Sequence, residues 1–197
     1  MRKLLKFLLI LFLGVISSAC INNYAVYELN ELAHEHLRNG DVDGAIARLV
    51  SSVDLDPNHY ETRYTLAMAY MQKDICDEAL LHATVAFELI EKEPAIYKLL
   101  AEAYMCTADM IYEKKLPDGT IEKIVYDSPP LAVRKAGVYV DYLKKSNSHF
   151  DEYTRLLPSA DDIHIVNDKM RENQQKIDVK VSEYGKILYG NNSDSAK

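Results

Sequence analysis

The feature that most constrains this chain is a pattern that returns every 34 residues between Val26 and Tyr104. Large apolar, small and aromatic side chains recur at fixed offsets: Leu32, Leu66 and Leu100; Ala33, Ala67 and Ala101; His36, Tyr70 and Tyr104; Ala45 and Ala79. Such a period indicates an array of units that stack on one another, because one unit alone cannot bury its apolar face. A small residue at the same position in each unit implies that a neighbouring helix passes close to it.

Turn signals divide this pattern in the expected places. Asn39-Gly40-Asp41 interrupts the first unit and Asp54 to Asn58 ends it. On these residues the stretch resembles the tetratricopeptide repeat (TPR) family, whose repeats are 34-residue helical hairpins. The resemblance covers about 80 of the 197 residues. It implies an all-α fold in 26–110, with two full repeats and a broken third of which the first helix fits.

This sequence departs from the family pattern at three positions. Leu29 and Arg63 stand where the family favours Trp, and Glu91 stands one repeat after Pro57. The period stays in phase across all three, so we interpret them as variation within the same fold.

The stretch 111–130 predicts an insertion at the rim of the stack. Pro117-Asp118-Gly119 precedes the alternating run Thr120 to Tyr126, as in a β-hairpin. The alternative is that Thr107 to Lys115 extends the preceding helix and the remainder is loop.

The C-terminal stretch 131–190 predicts helices that cap the stack. One helix from Leu131 to about Lys145 replaces the missing second helix of repeat three. Another helix, from Ile163 to about Leu188, has an apolar series at seven-residue steps. A second row beside it is only partly apolar, because Asn173 and Lys180 interrupt it. An isolated coiled coil is therefore disfavoured, and packing on the repeats is expected. Residues 191–197 are small and polar, and we expect a disordered tail.

The N-terminus predicts export. Residues 1–19 carry three basic residues, then an apolar run and small residues, as in a signal peptide that is removed. Ala19-Cys20 resembles a bacterial lipoprotein box, which implies lipidation of Cys20, with 20–25 as a tether. Ile21 in place of Asp implies the outer membrane, with the protein facing the periplasm. The alternative is a plain secreted protein in which Cys20 is incidental.

The two remaining thiols are placed by the repeat register. Cys76 falls at the turn of the second hairpin and Cys106 near the end of the next helix, on the same edge of the stack. An exported protein meets an oxidising compartment, and a bridge between them would stabilise the fold by about 3 kcal/mol. Two buried free thiols are the alternative.

In the TPR family the first helix of each repeat lines a concave face that binds partners. The matching positions here are Tyr27, Asn30, His34, Arg38, Tyr64, Met68, Met71, Gln72, Lys98, Glu102 and Met105. Methionine and tyrosine on a groove suit adaptable contact with a peptide or helix. The alternative is that the C-terminal part of the chain covers this face.

No residue pattern for catalysis, a cofactor or a metal is found. The chain lacks a Gly-rich phosphate loop, Gly-x-Ser-x-Gly and His-Glu-x-x-His. His34 and His36 are two apart on a helix and point to different faces, which disfavours a shared metal. With 23 basic and 30 acidic residues the net charge is −7, so nucleic acid is not an expected partner.

Two functions from different classes follow. The first is a lipid-anchored adaptor or scaffold, not an enzyme, which binds a protein or peptide partner on the concave face and helps assemble an envelope complex. The second is a solute-binding accessory lipoprotein of a transport system, with a pocket among Tyr64, Met68 and Met71. An open groove favours the adaptor, and a closed cavity favours the solute binder.

Overall fold

The computed structural model describes residues 23–90, 92–116 and 118–188. The predicted signal peptide, Cys20 and the 191–197 tail lie outside these residues. The first helix, α1, covers 23–38. The helices of the repeats that follow are α2 (Val42–Leu55), α3 (Tyr60–Gln72), α4 (Cys76–Leu89) and α5 (Pro94–Asp109). The remaining elements are β1 (Glu113–Lys115), β2 (Ile121–Lys123), α6 (Pro129–Leu156) and α7 (Ile163–Leu188).

The predicted stack of helical hairpins is confirmed. Helices α1 and α2 form the first hairpin, in which Ala33 packs with Ala45 and Leu49. Helices α3 and α4 form the second, and α5 pairs with α6 as the third. Ala33, Ala67 and Ala101, the small residues of the repeat, have no exposed surface. Their burial shows that the 34-residue period places the close helix contacts correctly. Within the described part of the chain, no helix has the length and hydropathy needed to cross a membrane.

The turn between the two helices of a repeat needs a left-handed residue. Gly40 supplies it in the first repeat with φ +75°, and Asp74, one period later, adopts φ +56°. Asp41 then caps α2 by accepting a 2.9 Å hydrogen bond from the Gly44 amide. A Cβ at Gly44 would lie 2.3 Å from Asp41 Oδ2, so the cap requires glycine.

The insertion is a β-hairpin, and the helical alternative is wrong because α5 ends at Asp109. Strands β1 and β2 are antiparallel, with Lys114 opposite Glu122. The predicted boundaries on either side need correction. Helix α1 already includes 23–25 of the predicted tether, and α6 runs from Pro129 to Leu156 instead of ending near Lys145.

The longer α6 provides the surface on which α7 packs. Val166 and Ile177 of α7 are buried against it. Asn173, which interrupts the apolar row in the sequence, is fully buried and donates hydrogen bonds to Ser146 Oγ (3.1 Å) and Asn147 Oδ1 (3.0 Å) of α6. The predicted capping role of the last helix is therefore confirmed.

Arg63 stands where the family favours Trp, and its guanidinium forms hydrogen bonds to two neighbouring segments. Its Nε donates to the Pro57 carbonyl (2.8 Å), and its Nη1 donates to His82 Nδ1 (2.9 Å). The His82 ring is buried and stacks on Tyr70 with a centroid distance of 5.7 Å. Burial, with the Arg63 charge as a smaller cause, lowers the pKa of His82 to about 4. The imidazole is thus held neutral, as an acceptor for Arg63.

The close contact at Ala67 gives a first prediction. Ala67→Leu adds methylenes to a fully packed site and should lower the free energy of unfolding by about 1–3 kcal/mol. Gln72→Leu places the same side chain on an exposed position of the same helix and should cost little. Thermal or urea unfolding of the two variants measures the difference. Equal destabilisation by both would contradict the repeat register.

His82 gives a prediction for pH. Its native pKa of about 4 lies below its ordinary value of 6.5, so the unfolded chain binds the proton first. The contribution of His82 to the free energy of unfolding is fully present above pH 6.5. It is lost as the pH falls from 6.5 to 4, by at most about 1.4 kcal/mol per pH unit. His82→Gln should flatten that slope in urea unfolding. Burial also lowers the pKa of His149, so part of the slope should persist.

The control is His164→Gln, which changes an exposed imidazole on α7. A change of slope that His82→Gln causes and His164→Gln does not is then specific to the buried imidazole. The same slope for His82→Gln and the wild type would show that His82 is not buried in neutral form.

Candidate functional site

A groove of about 460 Å³ lies between α3, α5 and the end of α6, and is called the groove below. Helix α3 contributes one wall through Tyr64, Met68, Met71 and Gln72. These residues share a face because they recur at helical spacing of three or four. Tyr64, Met68 and Met71 are half-buried against the core beneath, and Gln72 is exposed. The four predicted α3 residues of the concave face therefore do lie together.

The opposite wall comes from α5 and α6. Lys98 and Glu102 were predicted, whereas six further lining residues were not: Glu93, Pro94, Ala95, Leu99, Tyr153 and Leu157. Leu99 is next to the predicted Lys98, and Ala95 lies two periods of 34 residues after the predicted Tyr27. Glu93 and Pro94 lie at the start of α5, outside the offsets that were used. Tyr153 and Leu157 belong to the part of α6 beyond its predicted end, and no repeat signal points to them.

Two of the three charged residues that line the groove, Lys98 and Glu102, are paired with the α7 side, and the third is Glu93. Lys98 Nζ lies 2.5 Å from Asp162 Oδ2, just before α7, and Asp162 Oδ1 accepts a 2.7 Å hydrogen bond from Tyr153. The hydrogen bond raises the pKa of Lys98 and lowers that of Asp162, so both remain charged near neutral pH. Glu102 Oε1 lies 2.7 Å from Lys169 Nζ of α7.

A third pair, Lys176 with Asp109 at 3.1 Å, continues this series. Asp162, Lys169 and Lys176 are seven residues apart, and their partners advance along α5 in the same direction. These contacts, called the ion-pair ladder below, show that α7 runs parallel to α5. Helix α7 flanks the groove, whose lining comes from α3, α5 and α6.

Two predicted residues of the concave face lie elsewhere. Asn30 is only 7 % exposed, and its amide donates to Ser52 Oγ (3.0 Å) and Thr62 Oγ1 (2.8 Å) between the first two repeats. The prediction of Asn30 as a surface residue was wrong because these hydroxyls satisfy it inside the core. Met105 packs against the core cluster that α5 forms with α6 and α7, so it is also removed from the groove.

The three predicted residues of α1 lie outside the groove lining. Tyr27 is 64 % exposed, Arg38 is exposed and His34 is half-buried.

Cys76 and Cys106 are joined by a disulfide with Cα atoms 5.6 Å apart. It ties the start of α4 to α5 and closes a loop of 30 residues. A loop of this length corresponds to a stabilisation of roughly 3–4 kcal/mol in the chain-entropy account.

The chemistry that the groove offers is apolar contact with few hydrogen bonds. Burial raises the pKa of Tyr64, so its hydroxyl stays neutral and can donate. Among residues 23–90, 92–116 and 118–184, whose side chains are described, no group of three His, Cys, Asp or Glu is placed to hold a metal ion. His36 Nδ1 instead lies 2.8 Å from Asp41 Oδ2 at the first turn.

Comparison with known proteins shows similarity at the level of the fold. No protein-family model matches the sequence, and no curated protein matches it. The first TPR domain of Spaghetti (RPAP3), solved with the HSP90 peptide SRMEEVD, has a TM-score of 0.56 and 14 % identity over 79 % of this chain and 94 % of that one.

Two other TPR structures are similar. The first TPR domain of human RPAP3 has a TM-score of 0.56 at 15 % identity, over 82 % of this chain and 98 % of that one. The TPR domain of Arabidopsis OM64 has a TM-score of 0.54 at 13 % identity, over 77 % and 98 %. The architecture is thus a TPR-type stack.

Proposed function

We propose that this chain is a lipid-anchored adaptor of the bacterial envelope, which binds a protein partner through the groove and serves the assembly of an envelope complex. The observation that carries the proposal is the composition of the groove walls. Tyr64, Met68 and Met71 offer polarisable, adaptable apolar surface, the kind used to bind peptide segments.

The shape of the groove favours a peptide over an enclosed solute. Its walls include the exposed side chains of Gln72, Glu93 and Leu157, so it is open along its side. Sites for small solutes bury most of the ligand surface, which an open wall does not allow. The fold supports the same conclusion, since the similar RPAP3 domain was solved with a bound peptide.

The anchor part of the proposal rests on the sequence around Cys20. Only three residue steps separate Cys20 from residue 23, where the described part of α1 begins. Three residues span at most about 11 Å, so a lipid on Cys20 would hold the first repeat next to the bilayer. Two or more acyl chains would make this attachment stable. We place the protein in the outer membrane, facing the periplasm.

The groove is tested by Tyr64→Ala combined with Met68→Ala. Partners of the wild-type protein are first identified by cross-linking in membranes and mass spectrometry, and the affinity of the recovered partner is then measured. The double variant should keep its helical circular dichroism at low temperature and lose most of the affinity, because the apolar wall is removed.

The matched control is Val50→Ala with Leu81→Ala, which truncates two exposed apolar side chains on the second helices of repeats one and two. It should bind like the wild type. If the Tyr64 and Met68 variant keeps the affinity of the wild type, the groove is not the binding site.

The anchor is tested by Cys20→Ser. Without the thiol no acyl chain can be attached, so the variant should move from the membrane to the soluble fraction. The control is Cys76→Ser with Cys106→Ser, which removes the disulfide and with it the other two cysteines, and should leave the protein in the membrane. If the Cys20 variant still sediments with membranes at high salt, lipidation does not anchor the chain.

A further inference from the structure

Building on the proposed function, we propose that the segment bound in the groove is basic and amphipathic: its apolar side chains enter the groove and its Lys or Arg side chains lie against Glu61 and Glu93. The inference concerns the charge class of the partner, which neither the fold nor the similar structures assign.

Lys98, the cation within the groove, is already neutralised by an ion pair. Lys98 bonds Asp162, which also accepts from Tyr153. Lys169, the next cation beside the groove, forms an ion pair with Glu102 at 2.7 Å. An acidic peptide would have to displace a carboxylate from one of these half-buried pairs before it gained an ion pair. The groove thus offers little to an acidic segment.

The charges that remain without an ion pair at the groove are acidic. Glu93 lines the groove, is exposed, and has no ion pair with another described residue. Glu61 is equally exposed and unpaired among the described residues, and it lies one helical turn before Tyr64 on the same stripe of α3. Burial is the main reason why the pKa of nearby Tyr60 is raised to about 12, and the negative charges of Glu93 and Glu61 also contribute. The two carboxylates thus produce a common negative field at this end of the groove.

The negative field continues along the edge of the stack. The helix ends on the same edge carry further exposed carboxylates, at Asp54 of α2, Glu88 of α4 and Asp161 before α7. Lys92 lies beside Glu93 and offsets part of this charge, but acids remain in excess. A basic segment would therefore be attracted to this edge and oriented by it.

The apolar part of the partner follows from the floor of the groove. Met68, Met71 and Leu99 contribute apolar side chains to the lining, and Leu157 adds exposed apolar area. A volume of about 460 Å³ is sufficient for a few large apolar side chains, not for a whole folded domain. The partner is therefore a segment with an apolar face and basic flanks. By contrast, the SRMEEVD peptide of the similar RPAP3 structure has three acidic residues near its end.

The test uses the full chain in detergent and two labelled synthetic peptides. Both have Leu and Met at the same helical positions, with Lys at all remaining positions in one and Glu in the other. Fluorescence anisotropy should give at least tenfold tighter binding for the Lys peptide. A third peptide with the Lys composition but scrambled apolar positions should bind more weakly than the ordered one.

Charge variants then locate the site. Glu61→Gln with Glu93→Gln should lower the affinity for the Lys peptide roughly three- to tenfold. Asp77→Asn with Glu78→Gln removes the same charge from exposed positions at the opposite edge and should change the affinity less than twofold. Equal effects of the two pairs would show general attraction to an acidic protein and overturn the inference.

The remaining outcomes separate this inference from the proposed function. If the Glu peptide binds as tightly as the Lys peptide, and Tyr64→Ala with Met68→Ala weakens it, the groove is a peptide site but the charge assignment is wrong. If that double variant changes neither peptide, both the inference and the assignment of the groove are wrong.

Discussion

The close approach of neighbouring helices at Ala33, Ala67 and Ala101 is the constraint on which the rest of the structure depends. Each of these residues is fully buried, and each repeats after 34 residues. Because a larger side chain would separate the helices, the alanines fix how far each hairpin lies from the next. That spacing sets the width of the gap between α3 and α5, and hence the width of the groove. The binding surface is thus a consequence of packing in the core behind it.

The two interfaces between repeats use the same positions with opposite chemistry. Asn30, Ser52 and Thr62 form a buried polar cluster between repeats one and two. One period later the same positions are Tyr64, Ala86 and Ile96, which pack as an apolar cluster. A polar cluster accepts only geometry that satisfies each hydrogen bond, whereas the apolar one tolerates adjustment. The groove lies over the second interface, where Tyr64 stacks on Tyr60 and lines the groove with its half-buried ring.

Periodicity predicted the parts of this molecule that depend on local spacing. The alanines, the α3 wall of the groove and the capping helix α7 were all found from it, because burial of one helix face imposes period 3.6 on the sequence. It failed where a polar residue is satisfied by a distant partner. Asn30 was predicted to be a surface residue, but hydroxyl groups of α2 and α3 accept its hydrogen bonds inside the core. The polar residues near Ser146 concealed the continuation of α6, where Ser146 is buried and accepts a hydrogen bond from α7. Such partners come from other elements, so no single stretch of sequence contains the signal.

The ion-pair ladder links the cap to the chemistry of the groove. Its steps are short: Asp162 with Lys98, Lys169 with Glu102, and Lys176 with Asp109. Each pair is partly exposed, so its direct contribution to stability is small, and apolar burial at Val166 and Ile177 holds α7 in place. What the ladder does decide is which charges remain available to a partner. By pairing Lys98 and Glu102, it removes one charge of each sign from the groove and leaves Glu93 and Glu61 at its mouth. The helix that completes the fold therefore also sets the charge of the binding surface, although it lines none of the groove's described wall.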